Sequence, residues 1–162
     1  MKILILILIF AFAGCQSSKI DYNFTFFKWN MKESYYLKFN SSDTLYYISS
    51  LPLEQKNSFT ILKKEDKKEI QNVLDSITFP ENKILFESDV NDGTTYAFNL
   101  KREKEIQKLK VHGRFAGPKQ FWIFGERLDE IIRRYQFIPT DKKIDLTEID
   151  SMVINNVKFL EQ

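Results

Sequence analysis

Among its 162 residues the chain has a single cysteine, Cys15, and a single histidine, His112. One cysteine cannot close a disulfide within the chain, so the fold has to be held by its core. One histidine leaves a zinc or iron site to be assembled almost wholly from carboxylates, so no metal and no cofactor is expected. Glycine and proline are scarce as well, at 5 and 4, which argues against a disordered or low-complexity chain. Nor is there an excess of one charge: 24 basic residues stand against 22 acidic ones. Nucleic-acid binding wants a clustered positive field, and none is expected here.

The usual catalytic signatures are missing on specific residues. Gly113-Arg114-Phe115-Ala116-Gly117-Pro118-Lys119-Gln120 has glycines, a lysine and a helix to follow. Its glycines are too close for a phosphate loop, Pro118 separates Gly117 from Lys119, and Gln120 replaces the magnesium-holding hydroxyl. What survives is a weaker candidate anion site at Arg114 and Lys119. Asp89-Val90-Asn91-Asp92-Gly93 has its glycine at the fifth position and a leucine, Leu100, at the twelfth. A calcium loop needs glycine at the sixth and glutamate at the twelfth. No nucleophile elbow supports a hydrolase built on His112, which reads first as a strand-end residue.

What is present begins with an address. Lys2 gives a positive start, and Ile3–Phe12 is an unbroken apolar run that ends at Gly14. Spanning a bilayer takes roughly 20 apolar residues, so the run fits the hydrophobic region of a cleaved export signal. Phe12-Ala13-Gly14-Cys15 resembles the lipobox of bacterial lipoproteins, with Phe12 where that family usually carries leucine. The resemblance covers the first fifteen residues only. It implies cleavage after residue 14, a diacylglycerol on Cys15 and a lasting membrane anchor, since two or more acyl chains bind stably. Gln16, in place of the aspartate that retains some lipoproteins at the inner membrane, implies transfer to the outer membrane. Residues 15–20 then form the lipidated cysteine and a short tether, and 21–162 a single domain of ordinary size.

The domain reads as α+β. Tyr22–Trp29, Ser34–Phe39 and Thr44–Ile48 alternate large apolar residues as strands do, and Ser58–Leu62 adds a shorter run. Ile70, Val73, Leu74 and Ile77 mark one face of a helix that Pro80 closes off. Ile84–Val90 and Thr94–Leu100 flank Asn91-Asp92-Gly93, a strong hairpin signal. Glu105–His112 follows as a strand. Phe121, Phe124, Leu128, Ile131, Ile132 and Tyr135 then form a helical stripe behind Pro118, with Pro139 beyond it. We therefore expect an antiparallel sheet with two main helices, in a β-β-β-α order that suggests duplication without sequence identity. A C-terminal helix is expected through Leu146, Ile149, Val153, Val157 and Leu160.

Aromatic residues make up 15% of the chain. Phe27 and Trp29 lie on the opposite face of the first strand from Tyr22, Phe24 and Phe26, and Tyr36 and Tyr46 enlarge the group. Strands with aromatics on both faces are either covered twice or present an adhesive surface. Tyr and Trp dominate protein interfaces, so Phe27, Trp29, Tyr36 and Tyr46 are the candidate interface. The expected function is a non-catalytic, membrane-anchored envelope module that recognises a protein, of assembly-factor, inhibitor or immunity type. The alternatives are a small-ligand or lipid carrier with its pocket between helices and sheet, and a hydrolase using His112.

Overall fold

A computed structural model describes residues 21–50, 55–89, 93–114 and 116–153. The leader, Cys15, the tether, Asn91, Asp92, Phe115, Val157 and Leu160 lie outside the described residues. The elements run β1 (Tyr22–Trp29), β2 (Ser34–Asn40), β3 (Thr44–Ser49), β4 (Lys56–Ile61), α1 (Lys64–Ser76), β5 (Leu85–Glu87), β6 (Thr95–Arg102), β7 (Glu105–His112), α2 (Lys119–Ile132), β8 (Ile138–Pro139) and α3 (Thr147–Val153). All eight strands form one sheet in the order β5-β7-β6-β1-β2-β3-β4-β8. The α+β class holds. None of the described helices is long and apolar enough to cross a membrane.

Strand periodicity decides which residues meet. Along β1, Tyr22, Phe24, Phe26 and Lys28 project to one face, and Asn23, Thr25, Phe27 and Trp29 to the other. In register, Phe26 stands between Leu37 of β2 and Phe98 of β6. This first face, with Tyr35, Phe39, Leu45, Tyr96, Leu100, Leu109 and Val111, forms the main core. Two helices cover it. From α1 come Ile70 and Leu74, and from α2 come Phe121, Trp122, Phe124, Leu128, Ile131 and Ile132. Phe98 makes ring contacts with Phe121 at 5.2 Å and Phe124 at 5.9 Å, so the layers are joined by aromatic pairs. Gly125 sits mid-helix because a Cβ there would lie 2.6 Å from the Tyr96 ring.

Lys28 falls on this apolar face, where a lone ammonium would be costly. Its Nζ lies 2.9 Å from Asp129 on α2 and 2.5 Å from Glu33. The Tyr35 hydroxyl donates to Asp129 at 2.8 Å, and Arg133 completes the group at 3.0 Å. Burial pushes the Asp129 carboxyl up, but hydrogen bonds from Lys28 and Tyr35, with the nearby positive charges, outweigh it and hold it below its ordinary value. Burial, together with Asp129, pushes the Tyr35 hydroxyl far above its ordinary value. The network clamps the β1–β2 hairpin to the last turns of α2. A second clamp joins the helices, where Asp66 of α1 accepts from Arg134 at 3.1 Å and from Tyr135.

Three sequence expectations change. The 84–90 segment does not pair with β6 as a hairpin; only Leu85–Glu87 is a strand, and it pairs in parallel with β7 at the sheet edge. β6 already has β1 and β7 as neighbours, so the incoming chain passes to the outer side of β7. Gly93 and Gly113 meet at that passage, where a Cβ on Gly93 would be 2.8 Å from the Gly113 Cα. Second, the two halves share element order but not topology. β1 to β4 form a meander, while the second half combines the β6–β7 hairpin with a parallel edge strand. Third, Ile138–Pro139 is an edge strand pairing with Phe59 and Ser58 of β4. Proline is tolerated there because an edge strand leaves one side of its backbone unpaired.

Candidate functional site

The second face of the sheet was the expected interface, and a smaller cover lies over it. Leu146 and Ile149, at the start of and within α3, pack with Phe27, Tyr36, Ile48 and Ala97; Ile144, Met152 and Val153 join them. Phe27 and Tyr36 are buried, with ring centroids 4.6 Å apart. They are core residues, which corrects the expectation of an open anchor pair. Trp29 and Tyr46 are half-buried at the margin of the same cluster. The cover is also held by charge. Lys108 donates to the Glu148 carbonyl at 3.0 Å and Lys110 to the Met152 carbonyl at 3.3 Å. Asn99 donates to Glu148 at 3.0 Å. Burial lowers the Lys110 ammonium below its ordinary value.

The candidate anion loop has a packing explanation. Gly113 and Gly117 adopt φ of 81° and 70°, and a Cβ on Gly117 would lie 2.8 Å from the Phe86 ring. Arg114 and Lys119 are both exposed, one in the loop and one on the first turn of α2. Pro118 stands one place before that turn rather than within it. His112 ends β7 on the second face, where its Nδ1 is 2.8 Å from the Thr95 hydroxyl. Among the described residues, no three His, Cys, Asp or Glu side chains are grouped so as to hold a metal ion. Between the helices and the sheet, where a carrier would need its pocket, the rings of Phe24, Phe98, Phe121 and Phe124 meet one another.

A concavity lies along the helix pair. It is a groove of about 490 Å³ between α1 and α2, lined by the apolar side chains of Val73 and Ile123 and by the buried Phe124. Ile123 is 55% exposed although both its chain neighbours are buried. It stands off the stripe that faces the sheet and turns toward α1. Glu69, Glu126 and Glu130 rim the groove together with Arg127. The Arg127 guanidinium donates to Glu69 of α1, one of those bonds at 3.0 Å, and to Glu130 at 2.6 Å. These hydrogen bonds raise its affinity for its proton further above the ordinary value. Three carboxylates against one guanidinium leave the rim net acidic around an apolar floor.

Comparison with known protein families, curated proteins and solved structures gave no match. The functional reading therefore rests on geometry. Sequence reasoning missed the groove residues because only Ile123, an apolar residue off the helical stripe, signals them. The acidic rim joins Glu69 to residues more than fifty positions away.

Proposed function

We propose that the chain is a lipid-anchored envelope domain that recognises another protein through the groove between α1 and α2. The observation that carries this is Ile123, a large apolar side chain left 55% exposed in a groove it shares with the half-buried Val73. Interfaces of this type have an apolar centre, a polar rim and few decisive residues. The acidic rim favours a partner segment that presents apolar side chains flanked by Lys or Arg, as one face of a basic amphipathic helix does. The anchor belongs to the same reading: the leader ends at a cysteine six residues before Asp21, where the described domain starts.

The test uses the full-length chain in its own cells, with a photo-crosslinking residue at position 123. A discrete adduct is expected, and the double substitution Glu126→Lys and Glu130→Lys should reduce it at least tenfold. A crosslinker at Lys104, in the exposed β6–β7 turn, should give no adduct of that size. If position 123 gives nothing, or the charge reversals leave its adduct unchanged, the groove is not the recognition surface. The anchor is tested separately. Labelled fatty acid should enter the wild type and not Cys15→Ser; equal labelling of both would remove the anchor from the proposal.

A further inference from the structure

A second, smaller pocket of about 190 Å³ opens where the ends of β1, β2 and β3 meet the segment leading into α3. Three lysines line it, Lys38, Lys142 and Lys143, together with Tyr46 and the side-chain amides of Asn23 and Asn40. Two of the ammonium groups are held in place by neutral acceptors. Lys142 donates to the Tyr46 hydroxyl at 2.7 Å and stands 4.6 Å from the centre of that ring. Lys38 donates to the Asp145 carbonyl at 2.5 Å. An ammonium has three N–H donors, so each of these contacts leaves donors for a ligand.

The one acid lining the pocket, Asp145, already has partners, and its hydrogen bonds with the Lys38 charge nearby hold its carboxyl below the ordinary value. The Asp145 carboxylate accepts from the Thr147 backbone at 3.0 Å and the Thr147 hydroxyl at 2.7 Å. Asn40 likewise directs its oxygen to the Ser42 backbone N–H at 2.8 Å, which leaves its amide nitrogen as the end that can donate inward. The result is a small recess with positioned cations, amide donors and an aromatic wall. That donor set suits a compact oxyanion with several acceptor oxygens.

Asn23, on the pocket wall, is eight residues after Cys15. At about 3.3–3.6 Å per residue, the pocket lies within roughly 26–29 Å of the anchored cysteine. We propose that this pocket binds a phosphate group, presented by an anionic phospholipid of the membrane that carries the chain. The identity of the source rests on the anchor in the proposed function; the chemistry of the pocket does not.

The test takes the purified full-length chain in neutral detergent micelles at low ionic strength, by calorimetric titration. One arm adds inorganic phosphate and the other adds short-chain phosphatidylglycerol to the micelles. Saturable binding is expected in the phosphatidylglycerol arm. It should weaken at least tenfold in the double variant K142E/K143E, and severalfold in K143E alone, whose side chain is exposed. K104E, which removes a lysine outside the pocket, should bind as the wild type does. Binding of inorganic phosphate without phosphatidylglycerol, with the same variant pattern, would keep the phosphate site and overturn the lipid source. No saturable binding in either arm, or equal weakening by K104E, would overturn the site. Micelle titration does not depend on where the chain is anchored, so failure here is distinct from failure of fatty-acid labelling or of crosslinking at position 123.

Discussion

Both faces of the sheet carry aromatic residues, but they are covered in unequal ways. On the first, Phe24, Phe26 and Phe98 meet two helices of 13 and 14 residues, with ion-pair clamps at Lys28–Asp129 and Asp66–Arg134. On the second, Phe27, Tyr36 and Ile48 meet a single described helix, α3, held by lysines on its carbonyls. Among the described residues, the first cluster gathers 22 buried hydrophobic residues and the second six. The first face therefore makes the fold, while the second is a cover whose loss should leave the main core in place.

The sharpest way to break this contrast is to remove Phe98, fully buried on central strand β6. Phe98→Ala should cost about 3–5 kcal/mol in denaturant unfolding, the range for a large core ring. A cost under about 1 kcal/mol would mean the first face is not the folding core.

Next in size is Asp129→Ala. Removing one partner of a buried pair typically costs about 3–5 kcal/mol, and about 2–3 is expected here because Glu33 still faces Lys28. The same residue sets a pH dependence. The folded Asp129 carboxyl is held below its ordinary value. Its contribution is therefore present above the unfolded carboxyl value near pH 4 and is lost as pH falls through the lower folded value. Wild-type stability should drop more steeply than that of Asp129→Asn as a urea titration is repeated from about pH 5 downward. Parallel curves would remove Asp129 from the account.

The smallest of the three stability effects belongs to the second face. Ile149 is 1% exposed, yet Ile149→Ala should cost only about 2 kcal/mol, the low end for such a truncation. The cover over this smaller cluster can undock locally, so its loss is limited by its own docking energy. Amides of residues 147–153 should exchange with solvent well before those of α2. Equal protection would make the cover part of the same cooperative unit and erase the contrast.

The same contrast explains what was legible in the sequence. Tyr22, Phe24 and Phe26 in β1, and Tyr96, Phe98 and Leu100 in β6, alternate with a period of two, and Phe121 to Ile132 repeat with a helical period. Local pattern fixed those elements and the face they share. The opposite alternation, Phe27 with Tyr36, was equally visible but did not say what would cover it, because the covering helix lies more than a hundred positions further along the chain. Lys28 reads as an exposed strand residue until Asp129, 101 positions later, is placed beside it. The parallel strand Leu85–Glu87 has only three residues and pairs across β7 rather than along the chain, so the Asp-Gly signal pointed to the wrong neighbour. The groove belongs to neither helix alone. It appears only once Glu69 of α1 and Arg127 of α2 are joined.

If the helices use one side to build the fold and the other to bind, Ile123→Glu should separate the two roles. Its unfolding free energy and the yield of a crosslinked adduct are measured on the same variant, with the crosslinker placed at Gln120 on the same groove. Stability within about 0.5 kcal/mol of the parent is expected, as for a surface substitution away from packed contacts, together with loss of the adduct. An adduct that persists at the parental yield in a fully stable variant would contradict it.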